Sequence, residues 1–314
     1  MGQPDNGPDM TLEQLRIFVA VAERQHVTQA ANALNLAQSA ASHAIAALEA
    51  RYDTKLFDRI GRRIELTEAG RTFLIEARNI LAQVEHAELT LNEFGQLERG
   101  TLAVHASQTI AGYWLPRHLV SFRRAHPRIE IRLTIGNTAQ VAEAMETGLA
   151  ELGFVEGKVE NETLENIFVA RDQLVLVAST DHAWAARGKP SLRALTDADW
   201  VLRERGSGTR SAFEGAMREL GIAAKDLRVV MELPSNEAVR AAVEAGLGVT
   251  AISASVAAAA IEAGLLHHVP FKLPEREFHA LRHRNRTGSR IGNAFLDHLA
   301  ARQKPLATRS STPK

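Results

Sequence analysis

The chain has 314 residues, 45 % of them hydrophobic and 24 % charged, an ordinary globular composition long enough for about two domains. It contains no cysteine, which excludes disulfides, thiolate catalysis and Cys-held zinc or iron–sulfur centres and fits a reducing cytosol. Lys plus Arg (37) equals Asp plus Glu (37), so net charge gives no sign of a nucleic-acid partner. No apolar run approaches the ~18 residues of a membrane helix, and MGQPDNGPDM lacks the pattern of a secretory signal, so a cytoplasmic location without membrane contact is expected.

Polar, Gly- and Pro-containing ends frame a folded part of about residues 10–303. Leu12, Leu15, Phe18, Val19 and Ala22 recur at helical spacing, which predicts a first amphipathic helix. A short second helix is predicted with Thr28 as its N-cap and Ala30, Ala31 and Leu34 inward. A third starts near Gln38, with Ala41, Ile45, Leu48 and Tyr52 as its inner stripe. Two short helices around so tight a turn make a helix-turn-helix. The runs Lys55–Arg59 and Arg62–Thr67 around Gly61 then read as a β wing.

Beyond Gly70, Phe73, Ala77, Ile80, Val84, Ala87, Leu91 and Phe94 are spaced four and three alternately. That 3.5-residue period argues for a coiled partner helix, because a helix on its own core drifts toward 3.6. From Arg99 the pattern becomes α/β. Strands are predicted around 102–106, 129–135 and 152–155, with intervening helices, and again around 174–178, 200–202, 228–233 and 249–253. Strand–helix alternation predicts parallel sheets in two lobes, and on periodicity alone the last strand (278–282) and helix (291–299) could belong to either lobe.

With the third helix's apolar stripe inward, Gln38, Ser39, Ser42 and His43 fall on its outer face. Gln pairs both edges of adenine, Ser and His reach bases or phosphates, and Ala40, Ala44 and Ala46 permit close approach. Arg59, Arg62 and Arg63 in the wing are placed to neutralise backbone phosphates. Residues 10–70 carry seven basic and seven acidic side chains, but five of the bases lie between 51 and 63. The plain alternative is a solvated helix face.

The segments LEQLRIFVAVAE, TQAANALNLAQSAASHAIAALEARYDTKLFDR and RRIELTEAG resemble the winged helix-turn-helix of LysR-type transcriptional regulators, and the linker and two-lobed domain follow in that family's order. The resemblance implies an N-terminal all-α winged helix-turn-helix with a coiled linker helix, then an α/β effector domain similar to periplasmic solute-binding proteins. It divides the chain into a DNA-binding domain (10–70), a dimerisation helix (71–95) and an effector domain (99–303), with lobe I at about 99–169 and 269–303 and lobe II at about 170–268. It also implies that Thr28, Gln38, Ser39, Ser42 and His43 contact promoter DNA. A homodimer through the linker, commonly a homotetramer, is implied, with RNA polymerase a further partner. Ala37 departs from the family's usual Ser or Thr, removing an N-cap worth ~1 kcal/mol. His43, Ala44 and Ala46 stand where basic or amide residues are common.

The effector domain carries four strand-to-helix junctions: Ser107-Gln108-Thr109, Asn137-Thr138, Arg203 through Thr209 and Arg210, and Ser235-Asn236. Hydroxyls, backbone N–H groups and helix dipoles converge there, which favours a small organic or inorganic anion as inducer and needs no cofactor. Phe154 and Glu156 in GFVEG are expected to line the same cleft. GFVEG and SQTIAGYWLP are similar to family branches controlling carbon fixation or sulfur assimilation. For any one Ser or Thr the alternative is plain helix capping, and Arg210 has the alternative of an acidic partner.

Enzymatic readings find little support. GSGT lacks the Lys and spacing of a P-loop, no Gly-x-Ser-x-Gly elbow occurs, and His279 and His283 lack the Glu of a zinc protease, so neither catalytic residues nor a metal is expected. A transported-solute carrier, a DNA-packaging protein, or a cytoplasmic anion binder without promoter specificity are the alternatives from other classes.

Overall fold

The computed structural model describes residues 10–60, 63–93, 100–286 and 288–303; both expected tails, Arg62 and Phe94 lie outside them. The chain forms two compact units.

In the first unit, helix α1 (Leu12–Arg24) starts from a capping box in which Thr11 Oγ1 accepts from Gln14 N and Gln14 Oε1 accepts from Thr11 N. It buries Leu15, Ile17, Phe18, Val21 and Ala22. Helix α2 (Val27–Ala33) is capped by His26, whose Nδ1 accepts from Gln29 N at 3.4 Å; Thr28 is therefore an exposed first-turn residue, not the cap. Helix α3 (Gln38–Arg51) starts at Ala37 without a side-chain cap, so burial of Ala41 and Leu48 holds it in place. It stops one residue short of Tyr52, which turns outward to 53 % exposure and leaves the expected inner stripe. Strands β1 (Phe57–Ile60) and β2 (Arg63–Leu66) pair antiparallel as the wing.

Helix α4 (Glu68–Glu93) follows. Its regular seam is divided between two environments. Phe73 and Ala77 pack with Leu15, Phe18, Leu48 and Leu56 in the unit's own core, whereas Ile80 is 39 % exposed. The first part of the seam is thus an ordinary core face.

The second unit holds, among the described residues, a nine-stranded sheet. Strand β3 (Gly100–Ser107) runs through a π-helical turn (Ile110–Trp114) into α5 (Leu115–Ala125); β4 (Ile129–Gly136), α6 (Thr138–Glu146) and β5 (Leu152–Glu156) follow. These three strands are parallel, so their carboxyl ends share one edge. Strand β6 (Leu164–Ser179) then crosses into the second lobe, made of α7 (Ala183–Arg187), α8 (Leu192–Asp197), β7 (Asp199–Arg203), α9 (Gly208–Glu219), β8 (Arg228–Leu233), α10 (Asn236–Glu244), β9 (Val249–Ser253), α11 (Ala254–Glu262) and β10 (Leu266–Val269). The chain returns as β11 (Glu275–His283) and ends in α12 (Arg290–Gln303).

The predicted strand at 174–178 is the far half of β6 and lies antiparallel to β9, not parallel within its lobe. Strand β11 pairs with β5 and β6, and Phe278, Ala280, Ile291, Phe295 and Leu299 join the first lobe's core with Leu102, Phe122 and Phe154. The second lobe has its own core around Trp200, Phe213 and Met217.

Candidate functional site

On the first unit, burying Ala41 and Leu48 turns the opposite face of α3 outward: Gln38, Ser39 and His43 are exposed and Ser42 is half-buried. Gln38 Nε2 donates to Ser42 Oγ at 3.1 Å, one helical turn on, so the two side chains form a single polar tile. The far half of α3 is clipped to the wing by Glu49, which accepts from Leu56 N (2.9 Å) and Phe57 N (3.2 Å) and pairs with Lys55 Nζ (2.8 Å). Burial alone would raise the Glu49 carboxyl, but Lys55 and those two amides hold it below its ordinary value. Thr28 is exposed on α2. The side chains of Arg59 and Arg63, like all of Arg62, lie outside the described residues.

On the second unit, the four strand-to-helix junctions meet between the lobes. Thr109 Oγ1 lies 3.5 Å from Thr209 Oγ1 and accepts from Asn236 Nδ2 at 3.1 Å. Asn236 Oδ1 in turn accepts from Arg203 Nη1 at 2.8 Å. Gln108 bridges to Pro234 O and Asn236 N, Asn137 Nδ2 donates to Glu204 Oε1, and Ala139 N donates to Gly206 O. The lobes are therefore latched by the groups expected to hold a ligand. Gly206, at φ +88°, supplies a turn that an L side chain would strain.

Several expected residues have other duties. The Phe154 ring is fully buried against Trp114 and Phe295 in the first lobe's core and does not line the cleft, because α12 covers that side of the strand end. Ser235 Oγ caps α10 by accepting from Ala238 N. Arg203 spends Nε and Nη2 on Glu204, and Arg210 pairs with Glu214 and Glu232, so neither offers a free guanidinium. Burial pushes the Glu204 carboxyl up, but Arg203 and Asn137 bring it below its ordinary value. Ser207 begins α9 without a side-chain cap bond, and Ser107 Oγ is buried with no hydrogen-bond partner among the described residues. Thr138 Oγ1 donates to Glu156 Oε2 at 3.1 Å.

Two residues escaped the sequence reading. Arg276, on β11, donates from Nη1 to Thr209 Oγ1 at 3.0 Å and from Nε to Asp172 Oδ2 at 2.8 Å. Asp172, on β6, also accepts from Ser253 Oγ at 2.7 Å. Neither charge stands out in the sequence, since β6 also carries Glu165 and Arg171 and β11 also carries Glu275, Glu277 and Arg282, so only the topology pairs them. Among the described residues, no group of three or more His, Asp or Glu is arranged to hold a metal, and no helix is long and apolar enough to cross a membrane.

Residues 12–71 match the family model described as "Bacterial regulatory helix-turn-helix protein, lysR family", and residues 95–304 match "LysR substrate binding domain". The uncharacterized HTH-type transcriptional regulator YeiE of Escherichia coli (strain K12) is 34 % identical over 92 % of this chain and 97 % of its own. The full-length CbnR structure with target DNA superposes with TM-score 0.67 at 24 % identity, over 93 % of this chain and 99 % of that one. The regulatory domain of Synechocystis PCC6803 CcmR, in complex with 2-PG, gives TM-score 0.60 at 28 % identity, over 66 % of this chain and 99 % of that one.

Proposed function

The chain belongs to the LysR family of transcriptional regulators, and we propose that it reads promoter DNA through the outer face of α3 and answers to a small acid held between its two α/β lobes. One observation carries this reading: an uncharged, exposed polar tile, Gln38 with Ser42, backed by the buried Ala41 and Leu48. Ser39, His43 and Thr28 extend the contact, and Arg59, Arg62 and Arg63 meet phosphates. Residues 10–70 form the DNA-binding domain, 71–95 the dimerisation helix and 99–303 the effector domain, with lobe I at about 99–169 and 269–303 and lobe II between them.

Ser107, Gln108, Thr109, Asn137, Thr138, Glu156, Arg203, Ser207, Thr209 and Ser235 line or support the ligand seam in this reading. The 2-PG held by the CcmR regulatory domain supports an anionic ligand. Exposed Ile80 on α4 supports pairing of two chains through that helix, and two such dimers would make a tetramer that meets RNA polymerase in the cytoplasm. No catalytic role is proposed. Ligand acts only by unequal affinity for the open and latched lobes.

Genomic footprinting with the purified full-length protein tests the reading. Recovery of a few promoter fragments is the expected result. Uniform occupancy would indicate a packaging protein, and no occupancy with or without metabolite extract would overturn the reading.

A further inference from the structure

Glu156 ends β5 on the same sheet edge as Ser107 and Thr138. Register places Ala106 beside Phe154 and Ser107 beside Gly136, so Ser107 and Glu156 end strands lying side by side, roughly 5 Å apart, and Thr138 opens α6 two residues beyond the end of β4. Glu156 is only 5 % exposed. A carboxylate offers about four acceptor positions. Among the described residues, however, the neutral Thr138 hydroxyl is its one hydrogen-bond partner, and no cation pairs with it.

The surrounding guanidinium groups are already engaged: Arg203 with Glu204, Arg276 with Asp172, and Arg210 with Glu214 and Glu232. The starts of α6 and α9 lie beside Glu156, since a Cβ on Gly208 would come within 2.8 Å of its Oε2. Their dipoles offset part of the charge, but neither helix donates an N–H to the carboxylate. At the end of the adjoining strand β3, the buried Ser107 Oγ has no hydrogen-bond partner among the described residues. A buried carboxylate without a counter-charge is costly. A ligand that is only an anion would add to that cost and leave the acceptors of Glu156 empty.

We propose that the effector is an acid bearing a hydroxyl or ammonium group beside its anionic group, with Glu156 accepting from that donor while Ser107 holds the anionic end. This rests on the ligand seam described above. Glu156 is then the specificity-determining residue, and plain carboxylic acids and inorganic phosphate are the ligands it rejects.

The test is calorimetric titration of the full-length protein with three-, four- and five-carbon acids in matched plain, 2-hydroxy and 2-amino forms, together with inorganic phosphate. The hydroxy or amino form of at least one skeleton should bind at least about tenfold more tightly than its plain acid, because an unfilled buried acceptor penalises the analogue lacking the donor. Which form binds identifies the donor. In Glu156→Gln the preference should shrink to about threefold or less, with Glu156→Asp as a second variant should the first fail to fold by circular dichroism. Equal binding of plain acids or phosphate, or a preference unchanged in Glu156→Gln, overturns this inference and leaves the ligand seam standing. Absence of binding by every probe overturns both.

Discussion

Arg276 and Asp172 face each other across the two antiparallel strands that run between the lobes, with Nη2 2.7 Å from Oδ2 and side chains 5 % and 6 % exposed. Neither residue belongs wholly to one lobe's interior. The guanidinium reaches Thr209 in the second lobe, and the carboxylate is braced by Ser253.

Breaking this pair from one side leaves a buried charge uncompensated. Asp172→Asn or Arg276→Gln should each destabilise the fold by about 3–5 kcal/mol, read as the shift in urea unfolding midpoint at constant slope. The double variant should regain part of that loss. Strict additivity of the two single effects would show that the contact carries no coupling.

Gly208 bears on the seam differently. An added methyl would lie 2.6 Å from Thr138 Oγ1 and 2.8 Å from Glu156 Oε2, closer than real Cβ contacts. Gly208→Ala should hold the lobes apart, so the ligand response falls at least tenfold while operator affinity is retained. Electrophoretic mobility shift with and without inducer separates these. Joint loss of both functions would indicate misfolding.

On α3, Gln38→Ala should cost about 1–3 kcal/mol of discrimination between cognate and random duplex. Its salt slope should not change, because no phosphate contact is removed. The effect of Ser42→Ala should not add fully to it, since the 3.1 Å bond joins the two side chains. An unchanged specificity ratio in both variants would remove these residues from base reading.

His118 gives a pH signature. Burial first, then Arg117, Arg302 and His298, push its imidazole down to about 4, so the folded chain keeps it neutral. An unfolded chain takes up that proton near 6.5. Because the folded value is depressed, the associated stability is full above about pH 6.5 and is lost as pH falls toward 4. His118→Gln should flatten melting temperature against pH across this window. An unaltered profile would assign the slope to other groups.

How much of this was legible in the sequence depended on the range of the contacts involved. The outward set on α3 follows from local spacing, because Ala41 and Leu48 fix which side is inward. Thr28 and Tyr52 were misplaced by one or two positions, a distance over which His26 supplies an equally good cap and a helix ends one residue early. Phe154 shares strand parity with Glu156, so alternation alone puts both on one face. What separates them is α12, whose Phe295 arrives more than a hundred residues later to cover the ring. Arg203 looked available to a ligand because the geometry of Glu204 is not visible in a local window, whereas the acidic partner weighed for Arg210 is supplied by Glu214 and Glu232. Arg276 and Asp172, 104 positions apart, meet only because β6 and β11 pair.

Strand β6 belongs to both lobes, pairing with β11 along its first half and with β9 and β10 along its second. One unbroken ladder member under two cores behaves as a torsion rod. Opening the lobes must wind or unwind it, whereas a loose tether would let them part freely. It also means that neither lobe can be cut out as a free-standing piece, since any break that spares one removes a stave from the other.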